Sequence, residues 1–290
     1  GHASPQDGSE VSGIMADTHP NSATKVISIT SGKGGVGKTA VVVNIGICLA
    51  RSGNKVLILD ADLGLANVDV VFGLTPAYNL NHFFSGETDL ESIMVKGPHD
   101  IRILPAGSGL QSFIQLDSDH KLKLLDGLDC LNIDFDYLLI DTEAGISENV
   151  TYFNTAAQEI LLVTTPDPTA ITDVYALMKL LSTRYHEKHF NLAVNMVVNE
   201  EEALDVYRKL SIVSNRYLDI SIDYFGSIPY DRQMSEAIRK QQAIVELYPQ
   251  GAIASAFTAL AERIVTITSR RYPKGSVQFF WKQLLQADSG

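Results

Sequence analysis

One glycine-rich segment, residues 31–39, constrains the fold of this chain more than any other stretch. It follows an apolar, β-branched run at 25–30 that is typical of a buried strand, and it precedes an apolar run at 40–50 that suits a buried helix. Residues 32–39 fit the pattern G-x-x-x-x-G-K-[S/T] in the strand–loop–helix context that a phosphate-binding loop requires. The alternative is a glycine-rich turn with a chance lysine, and the flanking strand and helix argue against it.

The residue types of this loop match the chemistry of phosphate binding. Glycines let the backbone curl so that successive N–H groups point at phosphate oxygens, and the following helix adds its positive N-terminal end. Lys38 is placed to reach the β- and γ-phosphates, and the Thr39 hydroxyl is a ligand for Mg²⁺. The sequence therefore predicts a site for a nucleotide with Mg²⁺.

Acidic residues follow two further apolar runs, 54–60 and 136–142, which we interpret as strands. Acids at the carboxyl ends of parallel strands lie where α/β sheets bind ligands. Asp141 fits the Walker B pattern and is predicted to hold Mg²⁺, through a water molecule. Asp62 is a second candidate at this edge, and its alternative role is to cap the next helix.

Glu143 adds a carboxylate close to the predicted phosphate site. If the side chain faces the site, its negative charge would repel the γ-phosphate and slow nucleotide binding or hydrolysis. If it points to solvent, it would have no effect. We assign it no catalytic role.

The remaining pattern alternates apolar strands with helices. Strands are predicted near 100–107 (with a glycine-containing turn), 159–166, 191–198 and 222–228. Helices are predicted at 79–95 (two short ones), 118–131, 170–181, 201–217, 231–240 and 251–271. About seven strands, mostly apolar throughout, indicate an α/β fold with a single, mostly parallel, doubly wound sheet whose two faces are covered by helices. One domain at 24–271 accounts for them.

The loop carries a second lysine, Lys33, which an ordinary phosphate loop does not need. The string K-G-G-x-G-K-[S/T] formed by Lys33 to Thr39 resembles the deviant Walker A motif of the MinD/ParA ATPase family. That resemblance implies that Lys33 crosses a dimer interface to the partner's nucleotide; otherwise it is a solvated loop lysine. It also implies that Asp62, in D-x-D-x-G-x-x-N-x-D, positions the attacking water.

The resemblance extends to the other site residues. It implies that Asn195, after a predicted strand, hydrogen-bonds adenine, although a strand-end turn would also explain an asparagine there. Pro229 and Asp231 resemble the loop that lines the base pocket. The catalytic set is then Lys33, Lys38 and Asp62, and the Mg²⁺ set is Thr39, Asp62 and Asp141. ATP contacts are expected from Gly32, Lys33, Gly34, Gly35, Val36, Gly37, Lys38, Thr39, Ala40, Asn195, Pro229 and Asp231.

Several strings are similar to one branch of the family, the flagellar-number regulators of the FleN/FlhG type. They are residues 60–69, 172–181 and 228–231, and Phe279-Phe280. The branch implies an ATPase that limits polar flagella, with two partners: a FleQ-like enhancer-binding transcription activator and an FlhF-type GTPase. Residues 1–25 lack the D-Q-A-x-x-L-R motif by which many relatives activate that GTPase, which favours the transcription activator.

The tail at 272–290 contains a predicted amphipathic helix at 276–286. Its apolar residues fall on one face, with basic residues just before it: Val277, Phe280, Trp281, Leu284 and Leu285, then Arg270, Arg271 and Lys274. Such a face suits an anionic bilayer and resembles the membrane-targeting helix of MinD-type ATPases. Docking on its own domain or on a protein partner is the alternative.

Composition separates the rival functions. The formal charge of −11 makes direct nucleic-acid binding weak, which argues against a ParA-type DNA-segregation ATPase. Cys48 and Cys130 cannot supply the ligands of an iron–sulfur reductase on the same fold. A spatial-positioning ATPase of MinD or ParA type, and an ATP-sensing module without hydrolysis, stay open.

The predicted location is cytoplasmic. No run of 18 apolar residues and no secretory signal is visible. Reversible association with the inner face of the cell membrane, including at the pole, is expected through the tail. We expect residues 1–23 to be disordered, with 1–14 added before a natural start at Met15.

These features together predict an ATP-driven dimerisation switch with slow ATP hydrolysis. ATP with Mg²⁺ would bridge two protomers of a homodimer face to face.

Overall fold

A single eight-stranded sheet organises the described part of this computed structural model, which comprises residues 24–65, 67–107 and 116–270. The strands in chain order are β1 (Lys25–Ser31), β2 (Val56–Ala61), β3 (Val95–Lys96), β4 (Arg102–Leu104), β5 (Tyr137–Ala144), β6 (Glu159–Thr164), β7 (His189–Val197) and β8 (Ser221–Pro229). Their order across the sheet is β3-β4-β2-β5-β1-β6-β7-β8, and only the β3–β4 pair is antiparallel. The predicted parallel, doubly wound sheet is confirmed.

Helices cover both faces of the sheet. They are α1 (Lys38–Arg51), α2 (Val68–Val71), α3 (Leu80–Ser85), α4 (Leu90–Ile93), α5 (Ser118–Asp129), α6 (Glu148–Ala156), α7 (Pro168–Tyr185), α8 (Glu200–Tyr217), α9 (Arg232–Arg239), α10 (Ile244–Leu247) and α11 (Ala252–Arg270). A short 3₁₀ turn spans Pro98–Asp100. The sequence prediction missed β3, α2, α6 and α10.

The central strands are buried on both faces, which explains their continuous apolar character. Ile27 and Ile29 of β1 join a core with α1 and α11, whereas Val26 joins a second core on the opposite face with Phe153 of α6. Because successive side chains of a strand point to opposite faces, both faces of β1 must be apolar. Parallel strands in this position place their carboxyl ends along one edge, and the acids lie at these ends of β2 and β5.

A buried polar network ties α6 to the centre of the sheet. The Ser28 hydroxyl donates to Asn154 Oδ1 at 2.7 Å, and Asn154 Nδ2 donates to Thr30 Oγ1 at 3.1 Å. Thr142 on β5 also donates to Thr30 Oγ1, at 2.9 Å. Every member of this network is buried, so each hydrogen bond compensates for water lost on folding.

The tail predicted as a helix at 276–286, and residues 1–23, lie outside the described residues. Across the residues that are described, no helix has both the length and the apolar character needed to span a bilayer.

Asn154→Ala should lower the free energy of unfolding by about 2–3 kcal/mol, because Ser28 is left without its acceptor in the core. Asn215→Ala is the matched control: Asn215 is an exposed helical asparagine on α8, and its loss should change the free energy of unfolding by less than about 0.5 kcal/mol. Urea unfolding of both variants measures the difference. Equal stabilities would show that the network contributes nothing.

Candidate nucleotide-binding site

The glycine-rich segment forms a tight loop between β1 and α1. Gly32, Lys33, Gly34, Gly35, Val36 and Gly37 make the connection, and Lys38, Thr39 and Ala40 form the first turn of α1.

At three positions of the loop the structure shows why the residue is glycine. Gly35 and Gly37 adopt φ values of 81° and 88°, in the left-handed region that favours glycine. A Cβ on Gly32 would lie 2.2 Å from the backbone carbonyl carbon of Asp173 on α7. The loop is therefore both curled and packed closely against α7.

Lys38, Thr39 and Asp141 converge at the start of α1. Lys38 Nζ lies 2.6 Å from Asp141 Oδ1, and the Thr39 hydroxyl donates to Asp141 Oδ2 at 2.8 Å. Lys38 and Asp141 are both buried, because β5 lies beside β1 and ends under the loop. A hydroxyl and a carboxylate in contact form a hard-oxygen donor set that fits Mg²⁺.

Asp60, at the end of β2, fixes the segment that follows it. Its buried carboxylate accepts hydrogen bonds from three backbone N–H groups, those of Asp62 (3.2 Å), Asn67 (3.1 Å) and Val68 (3.1 Å). Burial raises the pKa of Asp60 well above its usual range, and the neighbouring Asp141 raises it further. Asp60 is thus the acid that organises the start of α2, a role that the sequence did not assign to it.

Asp62 lies at the same edge with a different environment. It is partly exposed, and its carboxylate accepts a backbone hydrogen bond from Leu65 N at 3.0 Å. Burial raises its pKa, and the Lys38 ammonium opposes that rise. The capping alternative therefore fits Asp60, while Asp62 lies close enough to Lys38 and Asp141 for their charges to act on its carboxylate.

Glu143 does not extend freely into solvent. It is half-buried, and its carboxylate accepts a hydrogen bond from the hydroxyl of Ser147, which in turn caps the N-terminus of α6. Burial raises the pKa of Glu143, and the charge of Asp62 contributes to that rise. The added carboxylate is therefore held on the side of the loop where the acids gather.

Lys33 is bound to its own chain. Its Nζ lies 3.0 Å from Asp167 Oδ2 and also contacts the Thr169 hydroxyl. The hydrogen bond from Lys33 is the largest cause that lowers the pKa of Asp167 to about 2. Lys33 is thus not a freely solvated lysine: the connection between β6 and α7 holds it.

The three residues expected to contact the base of the nucleotide lie in different parts of the structure. Asn195 on β7 is buried, and its Nδ2 donates to the Val36 carbonyl at 2.8 Å, so it touches the loop. Pro229 ends β8, where it is paired with Val197. Asp231 caps α9 by accepting from Gln233 N at 2.8 Å. Asn195 is brought to the loop, whereas the Asp231 carboxylate binds a helix N-terminus.

An open cavity of 450 Å³ adjoins the loop, and the residues that line it do not include Asp62, Asp141 or Glu143. It is lined by Lys33–Val36, by Thr165–Asp167, and by Met196, Val198 and Glu202. Because β1 lies between β5 and β6 in the sheet, the loop separates this cavity from the acids after β2 and β5. The site can therefore hold phosphates and Mg²⁺ on one side and a nucleoside on the other.

Asp167 and Met196 are two site residues that sequence reasoning missed. Asp167 had a usable signal, since Asp before Pro is typical of a helix start, and it caps α7 by accepting from Thr169 N at 2.8 Å. Met196 had no such signal, because nothing in an apolar strand indicates that one of its residues adopts a left-handed backbone conformation, with φ 60°.

Comparison with known proteins identifies the family to which this chain is similar. Residues 22–265 match the ParA family, described as NUBPL iron-transfer P-loop NTPase. The antiactivator FleN of Pseudomonas aeruginosa is 41% identical over 272 residues, which cover 94% of this chain and 96% of that protein. The flagellum site-determining protein YlxH of Helicobacter pylori is 32% identical over 267 residues, which cover 91% and 90%.

A solved structure supports the same grouping. The septum site-determining protein MinD of Pyrococcus horikoshii, complexed with Mg-ADP, matches with a TM-score of 0.67 and 27% identity. The match covers 84% of this chain and 97% of that one.

Glu143→Gln should raise the affinity for ATP with Mg²⁺ by roughly two- to tenfold, because it removes a negative charge facing the phosphate side of the loop. Glutamine can still accept the Ser147 hydrogen bond, so α6 keeps its cap. Isothermal titration with ATP measures the change, and Glu148→Gln, at the exposed first residue of α6, is the charge-matched control. Unchanged affinity would show that the phosphates do not experience the Glu143 charge.

Proposed function

Since this chain belongs to the MinD/ParA family of P-loop ATPases, we propose that it is an ATP-dependent dimerisation switch that regulates flagellar number. It is an ATPase, and ATP and Mg²⁺ are its cofactors. The observation that carries the proposal is the convergence of Lys38, Thr39 and Asp141 at a phosphate loop that also presents Lys33.

Binding of ATP begins with an exchange of partners at Lys38. In the structure Asp141 neutralises the buried ammonium of Lys38. The β- and γ-phosphates would replace Asp141 as the partner of Lys38, which frees the Asp141 carboxylate to face the Mg²⁺ position beside Thr39. Mg²⁺, when bound, neutralises charge that develops on the phosphates.

Hydrolysis needs a water molecule in line with the bond to be broken. Asp62 is proposed to orient that water, whose oxygen attacks the γ-phosphorus while the bond to the ADP oxygen breaks. Lys38 stabilises the negative charge that accumulates on the transferred group. Positioning and charge stabilisation, not covalent chemistry, are what this chain's residues supply.

The switch between monomer and dimer would act through Lys33. In the structure Lys33 binds Asp167 and Thr169 of its own chain. To reach a partner's nucleotide it must leave them. The ion pair is exposed, and exposed ion pairs contribute little to stability, so the release is readily driven by a partner's bound ATP. The negative phosphates would take the place of the Asp167 carboxylate.

The proposed partners follow from the relatives. One relative is named an antiactivator and another a flagellum site-determining protein. We propose that the ATP-bound homodimer antagonises a FleQ-like flagellar transcription activator of the enhancer-binding type. An FlhF-type GTPase is a second proposed partner.

The proposed layout is an ATPase domain at 24–271 and a tail at 272–290. Through its helix at 276–286 the tail would bind the anionic inner face of the cell membrane. A single short helix is a marginal anchor, whereas two tails on one dimer bind cooperatively. Dimerisation would thereby control membrane association.

Two substitutions separate ATP binding from hydrolysis. Lys38→Ala should abolish ATP binding and phosphate release, because the loop loses its only buried cation among the described residues. Asp62→Ala should bind ATP normally and release phosphate at least about tenfold more slowly. Cells that lack the parent gene should carry extra flagella. In those cells Lys38→Ala should fail to restore the normal number, whereas Asp62→Ala should lower it.

Lys55→Ala is the matched control for Lys38, since Lys55 is exposed at the opposite end of β2. It should behave as the parent in titration, phosphate release and flagellar counts by electron microscopy. Normal turnover by Lys38→Ala would refute the site. An unchanged flagellar number in the deletion strain would refute the biological role while leaving the ATPase assignment intact.

A further inference from the structure

A second open cavity, of 610 Å³, has no residue of the phosphate loop in its lining. One of its walls is the end of α2, at Phe72 and Gly73. Another wall is the connection from α9 to α10, at residues 240–243, together with Glu246 and Leu247 of α10. The volume lies in the range of ligand pockets, and the proposed ATPase cycle does not use this cavity.

The two walls meet at Gly73 and Gln241. Gly73 has φ 64°, and a Cβ on it would lie 3.3 Å from the carbonyl oxygen of Gln241. Gln241 has φ 52°, in the left-handed region that a glutamine rarely adopts. Its N–H donates to the Ile238 carbonyl at 3.0 Å, and the Gln242 N–H donates to the Ala237 carbonyl at 3.1 Å. This turn at the end of α9 therefore fixes the backbone that carries both glutamine side chains.

Several hydrogen-bonding groups in the lining are not used within the described part of the chain. Gln241 and Gln242 are exposed, and neither side-chain amide has a hydrogen-bond partner among the described residues. Glu246 uses one carboxylate oxygen: its Oε1 accepts from Arg51 and, at 2.9 Å, from His99 Nε2. No described residue donates to Glu246 Oε2. Two amides and one carboxylate oxygen are therefore available to a ligand.

The chemistry of these groups suits an extended peptide. A side-chain amide offers one acceptor and an NH₂ donor, so it pairs with the N–H and C=O of a peptide group. A carboxylate oxygen accepts most strongly from a cationic side chain. Phe72 and Leu247, which are partly buried, add apolar surface. The Lys240 ammonium is neutralised by Glu236 at 2.7 Å, so the lining offers no unpaired cation to a phosphate-bearing ligand among the described residues.

Both walls are tied to elements of the nucleotide site. The N–H of Val68, at the start of α2, donates to Asp60, which lies beside Asp141 on the neighbouring strand. On the other wall, Val245 N of α10 donates to Asn44 Oδ1 at 3.1 Å. Asn44 belongs to α1, the helix that follows the phosphate loop. A nucleotide-dependent movement of α1 relative to α2 would therefore change the shape of the cavity.

We propose that this cavity is the nucleotide-dependent docking site for an extended peptide segment of the protein partner that the switch regulates. The segment carries a basic side chain next to an apolar one. The amides of Gln241 and Gln242 pair with its main chain, Glu246 Oε2 accepts from its basic side chain, and Phe72 with Leu247 contacts the apolar one. This inference rests on the proposed function for the existence of the partner, but not on the tail or on Lys33.

The double variant Gln241→Gly, Gln242→Ala removes both amides without straining the backbone. Glycine adopts φ near 52° readily, so this variant should unfold at the same or a higher urea concentration than the parent. ATP binding and phosphate release should not change, because neither side chain contacts the phosphate loop. With ATP and Mg²⁺, its affinity for the purified flagellar transcription activator should fall at least about tenfold in isothermal titration.

A matched double variant and a cross-linking measurement complete the test. His186→Gly, Asn215→Ala combines another left-handed residue, with φ 61° at the end of α7, and an exposed side chain on α8. It should bind the activator as the parent does. With ATP, p-benzoylphenylalanine in place of Gln242 should cross-link to the activator on illumination, whereas the same group in place of Asn215 should not.

The contrary outcomes are distinct. Parent-like affinity for the activator in Gln241→Gly, Gln242→Ala would overturn the inference and leave the proposed function intact. An equal loss in the two double variants, or a cross-link at position 215 alone, would also overturn it, because the contact would then lie elsewhere. Equal affinity of the parent in ATP and in ADP would overturn the nucleotide dependence. Failure of the parent to bind the activator at all would refute the proposed partner together with this site.

Discussion

The buried contact between Lys38 and Asp141 is the interaction on which the rest of the site depends. It joins the first turn of α1 to the end of β5 and keeps two opposite charges together in a largely buried position. A buried charge without a partner is strongly destabilising, so this ammonium must always be neutralised. In the proposed cycle it is neutralised either by Asp141 or by phosphate.

Two segments carry the acids next to this contact, and each is tied to a neighbouring helix. Asp60 holds the segment before α2 through backbone N–H groups, and Glu143 binds Ser147 at the start of α6. Asn154 then connects α6 to β1. Hydrogen bonds therefore connect the acids at this edge of the sheet to the start of α2, to α6 and to the centre of the sheet.

The parts of the fold that could be predicted are those that leave a regular pattern of apolar residues within a short segment of the sequence. Apolar runs indicated β1, β2, β5, β6 and β7, and the predicted MinD/ParA-like fold and family resemblance were confirmed. Helix α6 was not predicted, because its buried face carries the polar residues Thr151 and Asn154 and so lacks a continuous apolar pattern. Their polar groups are satisfied only by partners that the fold brings to them. The two-residue strand β3 carries no pattern at all. The sequence motif predicted the site residues of the phosphate loop. The Lys33–Asp167 pair and the left-handed backbone of Met196 could not be predicted, because they depend on contacts between segments that are distant in the sequence.

The central claim is that ATP controls dimerisation through Lys33, and sedimentation velocity of the full chain tests it most directly. With Mg²⁺, the account predicts a dimer in ATP and a monomer in ADP, and Lys33→Ala should bind ATP yet stay monomeric in both. A monomer in ATP for the parent protein, or an ATP-dependent dimer of Lys33→Ala equal to that of the parent, would contradict it.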